Sequence, residues 1–254
     1  MKSAAVSSLE SLLTARKLAN TLLPDWADAC RPVVSSGETG IDALLGGGWP
    51  RGEISEVVGP RSSGRTTVAV ATMARATSEG AVVALVDACD RFDPLSATHA
   101  GLDCDRMLWV RGPSMIVDPR RPVIDEAVAQ AIRAFDLILR AGGFAVVVLD
   151  LADVHARAIQ ALPYATWMRL ARVIEGRDTA GVLLGEQPMG RSARGASVRL
   201  RASSRWRGHC HLSRQFTGFD IEPSHLNRRV PLGGLLGKPQ GEAMSAQHVL
   251  LSGS

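Results

Sequence analysis

Short runs of Val, Leu, Ile and Ala alternate along this chain with longer stretches whose apolar positions recur at helical spacing. The short runs are Glu53–Val58, Ala81–Asp87, Met107–Val110, Phe144–Asp150 and Ala180–Glu186. They resemble strands covered on both faces, which carry near-continuous apolar sequence. The longer stretches, Thr66–Glu79, Val123–Ala141 and Arg157–Glu175, read as helices. Their alternation predicts an α/β fold, a mostly parallel sheet with helices on both faces. In such sheets ligands bind at the carboxyl ends of the strands. The loop after Val58, Asp87, Asp150 and Gln187 all fall at such ends.

The flanks read differently. Leu9, Leu12, Leu13, Leu18, Leu22 and Leu23 give Ser8–Leu23 an amphipathic helical pattern, which stops at Pro24. Asp25–Ser36 reads as a linker, with Trp26 near the surface. Ser197–Arg201 is expected to add a strand. From Pro223 onward Gly, Pro and polar residues dominate, as in a flexible tail or partner-binding segment. The expected organisation is a helix and linker over 1–36, a core over 37–222 and a tail over 223–254. No internal repeat is present.

With 254 residues, 46% of them hydrophobic, the chain has enough apolar side chains for one sizeable core. A formal net charge of +4 gives no whole-molecule field toward nucleic acid, so charge location matters more than its sum. Cys30, Cys89, Cys104 and Cys210 are scattered, which fits a reducing compartment. With no leader pattern and no long apolar span, a cytoplasmic location is expected. His209-Cys210-His211 lacks a second ligand pair, so no metal site is expected there.

The densest chemistry lies in Gly59-Pro-Arg-Ser-Ser-Gly64-Arg65-Thr66-Thr67. Between a strand and a helix, this has the form of a phosphate loop. Its glycines let backbone N–H groups close on phosphate oxygens at a helix N-terminus. Candidate nucleotide-binding residues are Gly59, Ser63, Gly64, Arg65, Thr66, Thr67, Asp150 and Gln187. The usual pattern places Lys where Arg65 stands. Arg keeps the charge but is a planar fork needing more room. The cofactor is therefore left open, with weak ATP and Mg²⁺ binding compatible with the residues. Asp150 reads either as a ligand to a magnesium-bound water opposite Thr66 or as a cap for loop hydroxyls.

The same loop follows Gly40-Ile41-Asp42, Leu45-Gly46, Gly48, Pro50 and Gly52. Together these motifs resemble the RecA family of recombination ATPases, over roughly Val34 to His211. Val86-Asp87-Ala88-Cys89-Asp90-Arg91-Phe92-Asp93-Pro94, Phe144–Asp150 and Gly185-Glu186-Gln187 resemble further segments of that family. The resemblance implies a nucleotide-sensing role for Gln187 and an N-terminal helix that packs on a neighbouring subunit. The stripe alone equally allows that helix to pack on its own core.

The resemblance also implies a water-activating Glu two residues after Asp87, and that position holds Cys89. A thiol is a poor base for this task. Asp90 should face the other side of the strand, and Glu186 is a substitute by proximity alone. No catalytic residue is assigned.

Seven arginines lie between Arg191 and Arg214 with no intervening acid. The resemblance places the family's single-stranded DNA loop at the start of this segment. Arg191, Arg194, Arg199, Arg201, Arg205 and Arg207 are candidate phosphate contacts, and Trp206 and Phe216 candidate stacking surfaces.

Three functions are open: a non-hydrolysing RecA-like accessory protein, an ATP-driven recombinase or repair ATPase, and a regulatory switch unrelated to DNA. Arg65 and Cys89 favour the first. It is most similar to the RecA-like accessory proteins of damage-induced mutagenesis and translesion synthesis. That resemblance implies as partners a polymerase-like ImuB-type protein and an error-prone polymerase.

Overall fold

A computed structural model of the chain describes residues 31–113, 121–207 and 215–226. In order these form β1 (Val33–Val34), α1 (Thr39–Leu45), β2 (Trp49–Pro50), β3 (Ile54–Val58), α2 (Arg65–Ser78), β4 (Val83–Asp87) and α3 (Pro94–His99). There follow β5 (Met107–Arg111), α4 (Arg121–Ala141), β6 (Val146–Asp150), α5 (Ala156–Gln160), α6 (Tyr164–Ile174), β7 (Ala180–Gly185), β8 (Ser197–Arg207) and β9 (Gln215–His225).

Seven strands form one sheet in the order β5-β4-β6-β7-β3-β8-β9. All neighbours are parallel except β9, which runs antiparallel to β8. The α/β expectation is met. Alternating side chains divide the core between the two faces. Val146 and Val148 of β6 join Val68, Ala69 and Met73 of α2. Val147 and Leu149 join Phe135 and Leu139 of α4 and Leu170 and Ile174 of α6. Both faces of β6 are therefore dry, which is why its sequence shows no polar alternation.

Four expectations need correction. The helix expected over Arg157–Glu175 is two helices, because Pro163 cannot donate to the ladder and restricts Leu162 before it. Residues 33–36 are not linker: Val33 and Val34 pair with Pro50 and Trp49, and Ser36 N–H donates to Asp42 at 2.7 Å. The strand expected over Ser197–Arg201 continues to Arg207. Its partner β9 runs to His225, opposite Val198, beyond the expected core limit at 222.

Helix α1 was not expected in so glycine-rich a segment. Asp42 holds Ser35 and Ser36, and Gly46 ends the helix in the left-handed region. The Ser8–Leu23 helix, Trp26, Cys30, His209–His211, Arg214 and the tail beyond Leu226 lie outside the described residues. So does the side chain of Phe216.

Candidate functional site

The phosphate loop leaves β3 after Val58 and enters α2 at Arg65. Gly64 has φ 93°, a conformation suited to glycine. It is also crowded: a Cβ there would stand 2.6 Å from Ile221 Cδ1 of β9. The loop rests on the outer hairpin as well as on its own strand. A cleft of about 160 Å³ opens beside it. Its lining includes the cationic Arg61, Arg65 and Arg91 and the anionic Asp87, Asp150 and Asp153.

Arg65 is 6% exposed. Its Nη1 and the buried Ser63 Oγ have no hydrogen-bond partner among the described residues. Unpaired buried donors of this kind are costly and mark a place where a ligand oxygen could sit. Thr66 and Thr67 are exposed at the helix N-terminus.

Asp87 and Asp150 stand side by side in register on β4 and β6. Asp87 is buried and accepts from the N–H groups of Cys89 (3.3 Å) and Phe92 (2.8 Å). These bonds bend the chain into a tight turn, with Asp90 at φ 54°. The turn is braced from β5. Arg111 makes a two-pronged bond to Asp90 and lies 4.7 Å above the Trp109 ring, while Phe92 meets that ring edge-on at 5.2 Å. Cys89 is thereby fixed in the wall, 4% exposed. Burial, then the nearby carboxylates of Asp150, Asp153 and Asp87, push its thiol up to about 12. It stays protonated and cannot accept a proton from water near neutral pH.

Asp150 Oδ1 accepts from Ala152 N–H at 2.8 Å. This favours the capping reading of Asp150, with Ala152 in place of the loop hydroxyls. Burial first, and then Asp87 and Asp153, push its carboxyl up to about 6, against the Ala152 bond and Arg65. The folded state thus binds this proton more tightly than the unfolded chain. The stabilising effect of protonation is fully present below about pH 4. It is lost as pH rises through about 6, leaving a penalty at neutral pH. Asp150→Asn keeps the acceptor for Ala152 and removes the charge. It should raise Tm by a few degrees at pH 8, corresponding to about 1–3 kcal/mol, with the gain vanishing near pH 4. Scanning calorimetry across that range is the test, and a pH-independent gain would refute it.

Asp153 completes the cleft mouth. It lies 3.9 Å from Arg61 Nε and 3.6 Å from Arg91 Nε. Nothing in the sequence marked Asp153, Arg61 or Arg91, because their meeting depends on the turn after β6.

A nucleotide with Mg²⁺ is the ligand such a loop implies. Magnesium needs a near-octahedral shell of oxygens, usually one or two carboxylates plus phosphates. Here Asp153 already faces Arg61 and Arg91, Asp87 accepts two backbone N–H groups, and Asp150 Oδ1 is engaged by Ala152. The volume is below the roughly 300 Å³ usual for ligand pockets. The orphaned donors of Ser63 and Arg65 suit one phosphate group. They do not suit a magnesium-bound triphosphate.

Comparison with known proteins bears on this frame. The RecA N-terminal domain pattern matches residues 21–158, more than half of the chain. The chain belongs to the RecA family. It is 40% identical to Protein RecA of Corynebacterium diphtheriae over 118 residues, 46% of this chain and 28% of that protein. The identity is 37% to Protein RecA of Chlorobaculum parvum over 118 residues, 46% of this chain and 30% of that protein. For Protein RecA of Blastochloris viridis it is 39% over the same length and shares. The chain thus spans less than a third of these relatives.

The RecA match ends before the Arg-rich segment, whose placement rests on the structure. Gly185 ends β7, and the chain turns back along β3. Gln187 and Glu186 are exposed and do not line the cleft. The buried Glu56 of β3 grips this returning segment, accepting from Met189 N–H (2.8 Å) and Ser197 Oγ (2.7 Å). Arg191 Nη1 donates to the carbonyls of Ser192, Ala193 and Gly195. Instead of a free loop, 189–196 is a pinned return, and Arg191 is one of its clamps.

Beyond it, Arg199, Arg201 and Arg205 share one face of β8, because side chains alternate. Glu222 stands opposite Arg201, and Asp220 pairs with Arg205 at 3.2 Å. Acids absent from the linear run are therefore returned by β9. Arg194, Arg207 and Trp206 are exposed, Trp206 at 51%.

Among the described residues, no helix is long and apolar enough to cross a membrane. Nor, among those residues, is any group of three or more His, Cys, Asp or Glu placed to hold a metal.

Proposed function

We propose that this chain is a RecA-like accessory protein of the DNA damage response, working through protein and single-stranded DNA contacts rather than ATP turnover. The observation that carries this reading is the buried, protonated Cys89 in the cleft wall, where the resemblance calls for a water-activating Glu. Similarity to RecA proteins supports a place in DNA repair or recombination. Within that class we read the chain as an ImuA-type protein, a RecA-like accessory protein of induced mutagenesis. By that likeness its partners are an ImuB-type protein and an error-prone polymerase, acting in translesion synthesis.

The DNA surface of this reading comprises the exposed outer positions, Arg194, Trp206 and Arg207. Replacing Arg194 and Arg207 by Glu should weaken binding of labelled single-stranded DNA of every sequence. The slope of log affinity against log salt should flatten by about 0.7 for each phosphate that is no longer neutralised. Trp206→Ala should cost about 1–3 kcal/mol if a base stacks on the indole. Affinity and slope unchanged by all three substitutions would remove DNA from the proposal.

A further inference from the structure

A second groove lies on the outer side of α6 and shares no lining residue with the phosphate cleft. Its volume is about 860 Å³. Tyr164, Ala165, Met168, Arg172 and Val173 supply one stripe along α6, and Arg140 of α4 faces them. Helix α6 is thus apolar on two sides. Trp167, Leu170 and Ile174 face the core, while Tyr164 and Met168 are 76% and 42% exposed. An isolated exposed Leu needs no explanation, but an apolar stripe inside a groove marks a contact surface.

The rim is basic. Arg140, Arg169, Arg172 and Arg177 line it, against Glu175 in the lining and Asp136 beside it, which leaves an excess of two positive charges. Three of the four arginines are held in place from below. Arg140 and Arg169 reach Asp136, while Arg177 donates to the carbonyls of Val173 and Arg140. Arg172 has no ion pair among the described residues and is exposed. The result is an apolar floor with fixed cations along its edge.

We propose that this groove docks an acidic amphipathic helix of a protein partner. The shape fits helix-in-groove recognition, where apolar residues at helical spacing enter the floor. The charge complements carboxylates on the flanks of the incoming helix, which favours the right partner and orientation. A single-stranded nucleic acid is less well served. The groove offers one aromatic ring, Tyr164, where a stacking platform uses several. The inference is independent of whether the phosphate cleft turns over ATP.

The test uses the full chain and three fluorescein-labelled probes, each followed by anisotropy. One is a peptide of about 18 residues with Leu at helical spacing and Glu elsewhere. The second replaces every Glu by Lys, and the third is an oligothymidylate of similar length. The acidic peptide should bind at least about tenfold more tightly than the Lys peptide. Arg172→Glu and Met168→Glu should each weaken it by about tenfold or more. Both positions are exposed, and circular dichroism should show the fold kept. Arg169→Glu with Arg172→Glu should shift preference toward the Lys peptide, an effect that unfolding would not give. Equal binding of the two peptides, or no acidic-peptide binding at about 100 μM, overturns the proposal. So does oligothymidylate binding that is lost in Arg172→Glu, which would make the face a nucleic-acid site.

Discussion

ATP should be turned over by the purified chain far more slowly than the ordinary rate of about 1 s⁻¹ or faster, with or without single-stranded DNA. Loss of a positioned base alone is worth about 10²–10⁴-fold. The thiol in that place, pushed up to about 12, has no compensating basicity. Cys89→Glu should not restore activity. It would add a fourth carboxylate beside Asp87, Asp150 and Asp153 in a wall that is almost wholly buried. The cleft would then carry an uncompensated charge, at a cost of several kcal/mol unless the new group took up a proton. Phosphate release and thermal denaturation, measured side by side on both proteins, decide the matter. Ordinary turnover by the native chain would overturn the accessory reading. Turnover by the Cys89→Glu protein alone would show that the cleft admits a magnesium-bound nucleotide after all.

The second large effect concerns Glu56. Its carboxyl is buried and holds two donors from the returning segment, Met189 N–H and Ser197 Oγ. Glu56→Ala strands both donors and opens a cavity, for an expected loss of about 3–5 kcal/mol. In a chain of this size that lowers Tm by roughly 6–20 °C. Glu56→Gln should lose much less, because the amide oxygen still accepts one bond. Denaturant unfolding of both variants is the measurement. Equal, small losses would mean that Ser55 Oγ, which accepts from Ala196 N–H, Ser192 Oγ, which accepts from Ile54 N–H, and Arg191 hold the return without Glu56.

The contrast between these residues explains what could be read from sequence. Strands β3, β4, β6 and β7 were legible because burial on both faces removes polar residues from them, as in Val146–Leu149. The phosphate loop was legible because its glycines and hydroxyls serve local geometry. Glu56 was not, since a lone acid in an apolar strand gives no hint of the segment 133 residues later that satisfies it. The charge balance of the cleft was likewise hidden, because Arg61, Arg91 and Asp153 come from three separate turns. The countercharges of the Arg-rich run were hidden for the same reason: Asp220 and Glu222 lie across a hairpin. Pro163 was visible, and the break it makes in the helix follows directly from its missing donor.

The contact of Ile221 with Gly64 has a mechanical consequence. A glycine has no side chain that can turn aside when its neighbour moves. Any shift of β9 at Ile221 is therefore passed directly to the backbone where β3 becomes α2. The β8–β9 hairpin thus bears on the first turn of α2 through Ile221. A load on the exposed end of the hairpin, at Trp206 and Arg207, would tilt the entrance of the loop instead of dissipating in a flexible arm.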